Sequence, residues 1–405
     1  MGRSQNGPPR IEALRIRNFR ALQDVRLDRL GPLTAFVGPN ASGKSTVFDA
    51  FAFLSECLGT GLRGAWERRG RFRELRTRDQ TGPLEFELKY RERPKAPLIT
   101  YHLEIDEKAK GPVVAREWLR WTRRQRGRPF RFLNFEGGEG EVVTGDEPEE
   151  DDTRERSALA SPEYLAVSTL GQLAENPRVV ALRNFIEGWF LSYFSVSDAR
   201  GIPEAGPQEQ LSRTGDNLAN VLQYLSEQRP ADYQYIISLL KMRVPGVEQV
   251  TAEPLADGRL LLRIRDAPFD QPFLARYASD GTLKMLAYLT MLHSPSRPAL
   301  LGIEEPENYL HPRLLPILAE ECRAAAQRSQ VLIATHSPYF VDGLRPEEVW
   351  VLERTSSGHT HAHNVADIQG IPQFTLEGAK LGALWMEGHF RVGDPLAAAQ
   401  GSASV

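Results

Sequence analysis

"FVGPNASGKSTVFDAF", residues 36–51, sets Gly38, Gly43, Lys44 and Ser45 in the spacing G-x-x-x-x-G-K-[ST]. Glycine tolerates backbone angles that side chains forbid, so Gly38 and Gly43 let successive N–H groups converge on one point. The start of the following helix adds its partial positive charge. Such a cradle suits the phosphate chain of a nucleotide: Lys44 would neutralise the β and γ phosphates, and the Ser45 hydroxyl would ligate Mg2+. The context is the one this chemistry requires. The apolar run "LTAFV" precedes the loop, and Val47, Phe48, Phe51 and Leu54 fall on one stripe of an expected helix over 44–57. Kinases, GTPases and motor ATPases all hold phosphates in this way, so the discriminating residues must lie elsewhere. The chain has no N-K-x-D guanine reader.

Downstream, "ALLGIEEPENYLHP" (299–312) ends an apolar strand in Glu304 and Glu305. Two adjacent carboxylates at the end of a buried strand are costly unless a cation is near, and Mg2+ supplies the reason. On this reading Glu304 serves the metal and Glu305 orients and deprotonates the water that attacks the γ-phosphate. The alternative is that both cap the helix expected near Pro312. Glu307 reads as a structural or interface carboxylate. "VLIATHSPYF" (331–340) presents His336 at the end of another buried strand, where a parallel sheet would bring it to the same edge. A lone histidine is usually structural; here it could contact the γ-phosphate.

Along the chain, "IEALRIRNFRALQDVRLDRL" alternates in two short runs, and 84–144 reads as an antiparallel meander with one buried face. Residues from about 161 to 243 read as helical, with "PRVVALRNFIEGWFLSYF" and "DNLANVLQYLSEQRPADYQYIISLLKMR" the clearest segments, before a hairpin at Asp257-Gly258. After Tyr277, strands alternate with helices, which indicates a parallel sheet covered on both faces. The expected division is an amino-terminal lobe over 1–160, a helical insertion over 161–245 and a carboxyl-terminal lobe over 246–405. No heptad run supports a long coiled coil.

No stretch of about 18 apolar residues and no apolar leader occurs, so a cytosolic protein without a membrane segment is expected. Cys57 and Cys322, far apart and the only two, read as buried thiols. The net charge of −3 conceals blocks. "RGAWERRGRFRELRTR" (63–78) and "REWLRWTRRQRGRPFRF" (116–132) are arginine-dense, and 136–152 is acidic. Arginines interleaved with Trp118, Trp121, Phe130 and Phe132 could bind a nucleic-acid backbone or form a solvated strand face. The acidic run reads as a flexible loop. His359, His361 and His363 alternate in "HTHAH" and could hold zinc, although no carboxylate spacing supports it; His311 fits an ordinary turn contact.

Taken together the motifs resemble the head domain of the ABC-type ATPases that include SMC proteins, RecF and the OLD ATPases. "LRIRNFRALQDVRL" followed by "FVGPNASGKST" resembles their first strand and Walker A. "YASDGTLKMLAYLTML" resembles their signature, "IEEPENYLHP" their Walker B and D-loop, and "IATHSPYF" their switch histidine. "LGALWMEGHF" resembles the closing segment of compact RecF-like ATPases. The resemblance implies an α/β P-loop NTPase with a mainly parallel sheet flanked by helices, an antiparallel β lobe and a helical insertion. It also implies that Gly38, Pro39, Asn40, Ala41, Ser42, Gly43, Lys44, Ser45 and Thr46 bind ATP, that Ser45 and Glu304 serve Mg2+, and that Glu305, His336 and Lys44 are catalytic. Ser279, Asp280, Gly281 and Thr282 would reach the ATP of a second subunit, giving a homodimer with two ATP molecules at its interface. Asp280 stands where transporter-type signatures have glycine, Glu304 where aspartate is commoner, and Ala41 where glycine is frequent. Gln80 is the candidate for the Q-loop. Arg20 could approach the nucleotide or serve the strand edge.

Two functions compete. One is a DNA-associated ATPase of repair or genome maintenance. The other is an ATP-gated module controlling a separate nuclease or toxin effector, because the chain runs only about fifty residues past "VWVLER", which is short for the Toprim domain of OLD proteins. A transporter ATPase is disfavoured by the absence of a membrane segment and by the "NFRAL" start.

Overall fold

The computed structural model describes residues 7–122, 130–144 and 154–393. Its amino-terminal strands are β1 (Arg10–Phe19), β2 (Leu22–Asp28) and β3 (Leu33–Val37), followed by the phosphate-loop helix Lys44–Gly59. The meander contains β4 (Leu84–Arg91), β5 (Leu98–Lys108), β6 (Gly111–Thr122), β7 (Phe130–Glu136), β8 (Glu139–Val143) and β9 (Arg154–Ala158). It joins the first two strands in one antiparallel sheet of order β2-β1-β4-β5-β6-β7-β8-β9. Strict alternation explains its two faces: Leu84, Phe86, Leu88 and Tyr90 are buried, and the residues between them are partly exposed. Residues 139–143 of the acidic run, expected in a loop, form β8, where Val142 and Val143 are buried between β7 and β9. Residues 145–152 of that run, and Arg123, Arg124, Arg126 and Arg128, lie outside the described residues.

The later strands are β10 (Phe190–Ser192), β11 (Val247–Pro254), β12 (Leu260–Asp266), β13 (Phe273–Leu274), β14 (Leu300–Glu304), β15 (Gln330–Ala334), β16 (Val349–Arg354) and β17 (Thr360–Asn364). β11, β12 and β13 form a small antiparallel sheet whose hairpin turns at Asp257-Gly258. The central sheet has the order β10-β14-β15-β3-β16-β17, parallel throughout except for the last hairpin. The expected fold class is therefore the observed one.

A second segment differs from its sequence reading. "FLS" of β10 was expected to continue a helix, but that helix stops at Glu187 and Phe190–Ser192 pairs with Leu301–Ile303 as the edge strand of the central sheet. A short apolar run carries no period that separates strand from helix, and the vacant edge of β14 decides the matter.

The central sheet separates two cores. Phe36, Leu300, Leu332 and Ala334 face one, shared with the phosphate-loop helix, the antiparallel sheet and residues 165–191. Ala35, Val37, Ile303 and Ile333 face the other, shared with residues 196–240, the small sheet and the helix Asp280–His293. Residues 161–245 are thus divided between the two cores. The buried Glu117 of β6 ties their first part to the antiparallel sheet by accepting bonds from Tyr101 Oη at 2.8 Å and the Val167 N–H at 3.1 Å. Both cysteines are buried free thiols, and burial pushes their pKa values up.

Gln330, fully buried at the start of β15, joins the two large sheets. Its Oε1 accepts from the Ile11 N–H at 2.8 Å, and its Nε2 donates to the carbonyls of Ile11 at 2.8 Å and Gly31 at 3.0 Å. Replacement by leucine strands the Ile11 groups in the core. We predict that Gln330→Leu destabilises the fold by about 2–3 kcal/mol in urea unfolding; a loss under about 0.5 kcal/mol would remove Gln330 as the joint.

Candidate functional site

The phosphate loop has the strained geometry its sequence implied. Gly38 has φ +147° and Gly43 has φ +108°, and a Cβ on either would meet the Leu352 carbonyl at 2.1 Å or Thr360 Oγ1 at 2.4 Å. Both glycines are therefore fixed by conformation and by the β16–β17 hairpin packed behind them. Ala41, with φ +64°, also lies in the left-handed region. A side chain there costs roughly 1–2 kcal/mol, so the alanine strains the loop where glycine would not. Asn40 and Ala41 are exposed at the tip, and Ser42 closes it with an N–H to the Pro39 carbonyl at 3.3 Å. Lys44 folds back, donating to the carbonyls of Gly38 at 2.7 Å and Pro39 at 2.9 Å. Burial pushes its pKa down, opposed by Glu307, Glu305 and Glu304. An anion in the loop would give this half-desolvated ammonium a better partner than two neutral carbonyls.

The parallel register brings the other residues to the same edge. Glu304 pairs with Ala334, Ala334 with Phe36, and Val37 with Val351, so β14, β15 and β3 end together. Burial, with Glu305 and Asp49 nearby, raises the Glu304 pKa above the ordinary 4.5, against the Ser45 hydroxyl and Lys44, which lower it. Hard oxygens from Ser45 and Glu304, in a neighbourhood crowded with carboxylates, fit a Mg2+ ion. Glu305 is exposed, with φ +46°, and immediately precedes Pro306. This conformation costs roughly 1–3 kcal/mol and persists only where the surroundings over-determine it. Here the Glu305 N–H donates to the Ala334 carbonyl at 2.8 Å, and Asn308 Nδ2 donates to Glu305 Oε2 at 2.7 Å.

Glu307 takes the structural role read for it. Its Oε2 accepts from Thr335 Oγ1 at 2.8 Å and its Oε1 from the His336 N–H at 2.9 Å, which fixes the end of β15. The His336 ring stays half-exposed, with Nε2 at 3.6 Å from Glu307 Oε1. His311 caps a short turn by accepting from the Arg313 N–H at 3.2 Å.

Ser279, Asp280, Gly281 and Thr282 open the helix Asp280–His293. Ser279 caps it, accepting from the Thr282 N–H at 3.1 Å, and Asp280 pairs with Arg200 at 2.5 Å. Arg200 also donates to the carbonyls of Ala278 at 2.7 Å and Arg276 at 3.0 Å. A Cβ on Gly281 would stand 2.8 Å from the Tyr309 carbonyl, so this helix end rests on the turn that follows Glu305. Among the described residues, these four bond to one another and to Arg200 and pack against that turn, with no bond to the phosphate loop.

Gln80 lies across the loop, in a cleft of about 550 Å3 that opens beside Thr46 and is lined also by Arg20, Arg76, Arg78, Arg354 and His359. Asn18 holds this wall by donating to the carbonyls of Thr81, Gly82 and Pro83. Arg20 both lines the cleft and pairs with Asp49 of the phosphate-loop helix at 2.9 Å. The strand beside Glu304 on the other side is β10, followed by the half-exposed Tyr193, whose pKa is pushed up by burial and by Glu304 and Asp49. Tyr193, Arg200 and Thr360, which donates to the Ser42 carbonyl at 2.9 Å, escaped the sequence reading. The histidines of "HTHAH" flank that threonine; His363 Nε2 lies 3.2 Å from Glu353.

Among the described residues, arginines of β1 and of the 63–78 block are paired with carboxylates, whereas in 116–132 only Arg116 has one, Glu136 at 3.9 Å. Arg15–Asp24 at 2.7 Å, Arg17–Glu85 at 2.5 Å, Arg63–Glu163 at 2.6 Å, Arg69–Asp49 at 2.8 Å and Arg76–Asp106 at 3.1 Å are ion pairs. Trp118 stacks on His102 at 4.8 Å under Arg120, Trp121 stacks on Phe132 at 5.9 Å, and Phe130 meets Phe132 edge-on.

This fold and loop define an ABC-type ATPase head of the SMC and OLD group. The chain belongs to the family described as "AAA domain, putative AbiEii toxin, Type IV TA system", whose model matches residues 33–342. It is 52% identical over 53 residues to an OLD nuclease of Thermus scotoductus; that stretch is 13% of this chain and only 10% of the nuclease. Among solved structures it is similar to the Smc head bound to the C-winged helix domain of ScpA, with a TM-score of 0.56 and 12% identity, over 87% of this chain and 97% of that one. The SMC head domain from Thermotoga maritima superposes more loosely, with a TM-score of 0.44 and 13% identity, over 88% of this chain and 98% of that one. Among the described residues no helix is long and apolar enough to cross a membrane.

The raised pKa of Glu304 has a signed consequence. The folded protein holds this proton more tightly than the unfolded chain, so stability is lost as pH rises from 4.5 through the raised value. Glu304→Gln removes the buried charge. Without Mg2+, its unfolding midpoint is expected above wild type at pH 7.5, with the difference gone below pH 4.5; a lower midpoint at pH 7.5 would contradict this.

Proposed function

We propose that the chain is a Mg2+-dependent ATPase working as a homodimer with two ATP molecules at its interface. The loop 38–46 and Lys44 hold the phosphates, Ser45 and Glu304 hold the metal, Glu305 takes a proton from the attacking water, and His336 contacts the γ-phosphate. Bound Mg2+ would supply charge neutralisation for the phosphates. The observation that carries this reading is the common edge shared by the loop, both glutamates and His336. Ser279–Thr282 pack instead against the turn after Glu305, which supports their service to the nucleotide of a second copy. Exposed Tyr277, Tyr309 and Tyr339, each a few residues from Ser279, Glu305 and His336, suit a surface that becomes covered.

For the wider role, the paired arginines of the 63–78 block favour the gating of a separate nuclease or toxin effector over direct DNA binding through that block. A surface whose cations are already paired gains less by neutralising phosphates. The DNA-associated reading, in repair or genome maintenance, keeps its support in the cleft arginines beside Thr46.

Lys44→Ala should abolish ATP binding, and Glu305→Gln should bind ATP normally while turnover falls by at least about 100-fold. Wild-type turnover by Glu305→Gln would refute its role. The same ATP-loaded Glu305→Gln protein separates the wider readings: ATP-dependent, salt-sensitive anisotropy with labelled duplex or single-stranded DNA supports the DNA role. No shift at low salt, with a nuclease co-purifying, supports the effector role.

A further inference from the structure

Lys284 lies one turn into the helix Asp280–His293 and is only 4% exposed. Among the described residues its ammonium forms no ion pair; it donates to the main-chain carbonyl of Glu305 at 3.2 Å. The rings of Tyr288 and Tyr309 flank it at 5.5 and 5.7 Å. Burial pushes its pKa down to about 8, against the pull of Glu307 and Glu305. A methionine would fill the same space without desolvating a charge. What the lysine adds is a donor aimed at one carbonyl.

That carbonyl belongs to the peptide that orients the strained Glu305, with φ +46°. It also accepts the Asn308 N–H at 3.2 Å, while Asn308 Nδ2 holds the carboxylate at 2.7 Å. A turn held in an unfavourable conformation moves its side chain when one such restraint is released. At the other end of the same link, Ser279 caps the helix and Gly281 lies directly against the Tyr309 carbonyl. The opening of the helix and residues 305–309 therefore form one mechanical unit.

We infer that Lys284 is a positioning residue that ties the opening of this helix to the main chain of Glu305, so that nucleotide of the second copy, engaged by Ser279–Thr282, sets the carboxylate of the same chain's Glu305. This rests on the proposed roles of Glu305 and Ser279–Thr282, and it makes each half-site report its occupancy to the other. Lys284 touches no reacting atom; it acts through Glu305.

The experiment is a double-mutant cycle on steady-state ATP turnover with Lys284→Met, Glu305→Gln and the pair, with unfolding midpoints measured alongside. Lys284→Met is expected to lower kcat about ten-fold or more while KM for ATP stays within about two-fold. Lys284→Gln, which keeps an N–H donor, should recover part of the loss, and it carries the comparison if the methionine variant does not fold. In the Glu305→Gln background, adding Lys284→Met should change the residual rate by less than about two-fold, because the group it positions is gone. An equal loss in both backgrounds, or a kcat within about two-fold of wild type for Lys284→Met, overturns the inference. If Glu305→Gln itself turned over like wild type, the assignment of the base would fail first, and the two failures are distinguishable.

Discussion

In the central sheet Glu304 pairs with Ala334, Ala334 with Phe36, and Val37 with Val351, so the parallel strands run out of hydrogen-bond partners along one line. Parallel strands can be joined only by long crossovers, so residues distant in the chain must arrive at this line from separate directions. The phosphate loop leaves β3 there, the paired glutamates leave β14, and the Thr335–His336 segment leaves β15. A slip of one residue in any pairing would turn the side chain at its end to the other face of the sheet. The two cores on either side of the sheet, and the Gln330 amide that locks β15 to β1, hold this register.

The second constraint is the gathering of charge at that edge. Lys44 and Lys284 are buried ammonium groups satisfied mainly by main-chain carbonyls, and Glu304 sits beside Glu305 and Asp49 with its proton affinity raised. Each arrangement is unfavourable in isolation, and those of Lys44 and Glu304 would become favourable with the proposed triphosphate and divalent cation between the opposed charges. The left-handed backbone at Ala41, Glu305 and Tyr309 adds strain to the same region. Stability is thus sacrificed where ligand and partner contacts can restore it, which is how ligand binding and dimerisation would be linked to the state of the site.

Much of this was legible in the chain because the decisive residues are contiguous. Gly38, Gly43, Lys44 and Ser45 fall in one loop; Glu304 and Glu305 end an apolar run; His336 ends another. The parallel sheet followed from strands alternating with helices. What escaped was set by tertiary approach. Thr360 buttresses Gly43 only because β17 folds back beside β16, and its neighbours His359, His361 and His363 drew the attention instead. Lys284 looks like any helix lysine until Tyr309 and Glu305 close over it, and Arg200 reaches Asp280 from another layer. β10 was misread because three residues carry no period. The carboxylate partners of the 63–78 arginines, among them Glu163 and Asp106, are distant in sequence, so that pairing could not be read from the chain.

The account stands on each nucleotide being completed by a second copy, and a mixing experiment reads this most directly. Lys44→Ala disables a chain's own loop, and Ser279→Arg disables what it offers to its partner, so each variant alone should be inactive. Mixed in equal amounts they should regain about a quarter of wild-type turnover or less, since one dimer in two is the mixed one and carries one intact composite site of its two. Turnover that stays at background on mixing, or a Ser279→Arg variant that hydrolyses ATP normally by itself, would contradict the shared site.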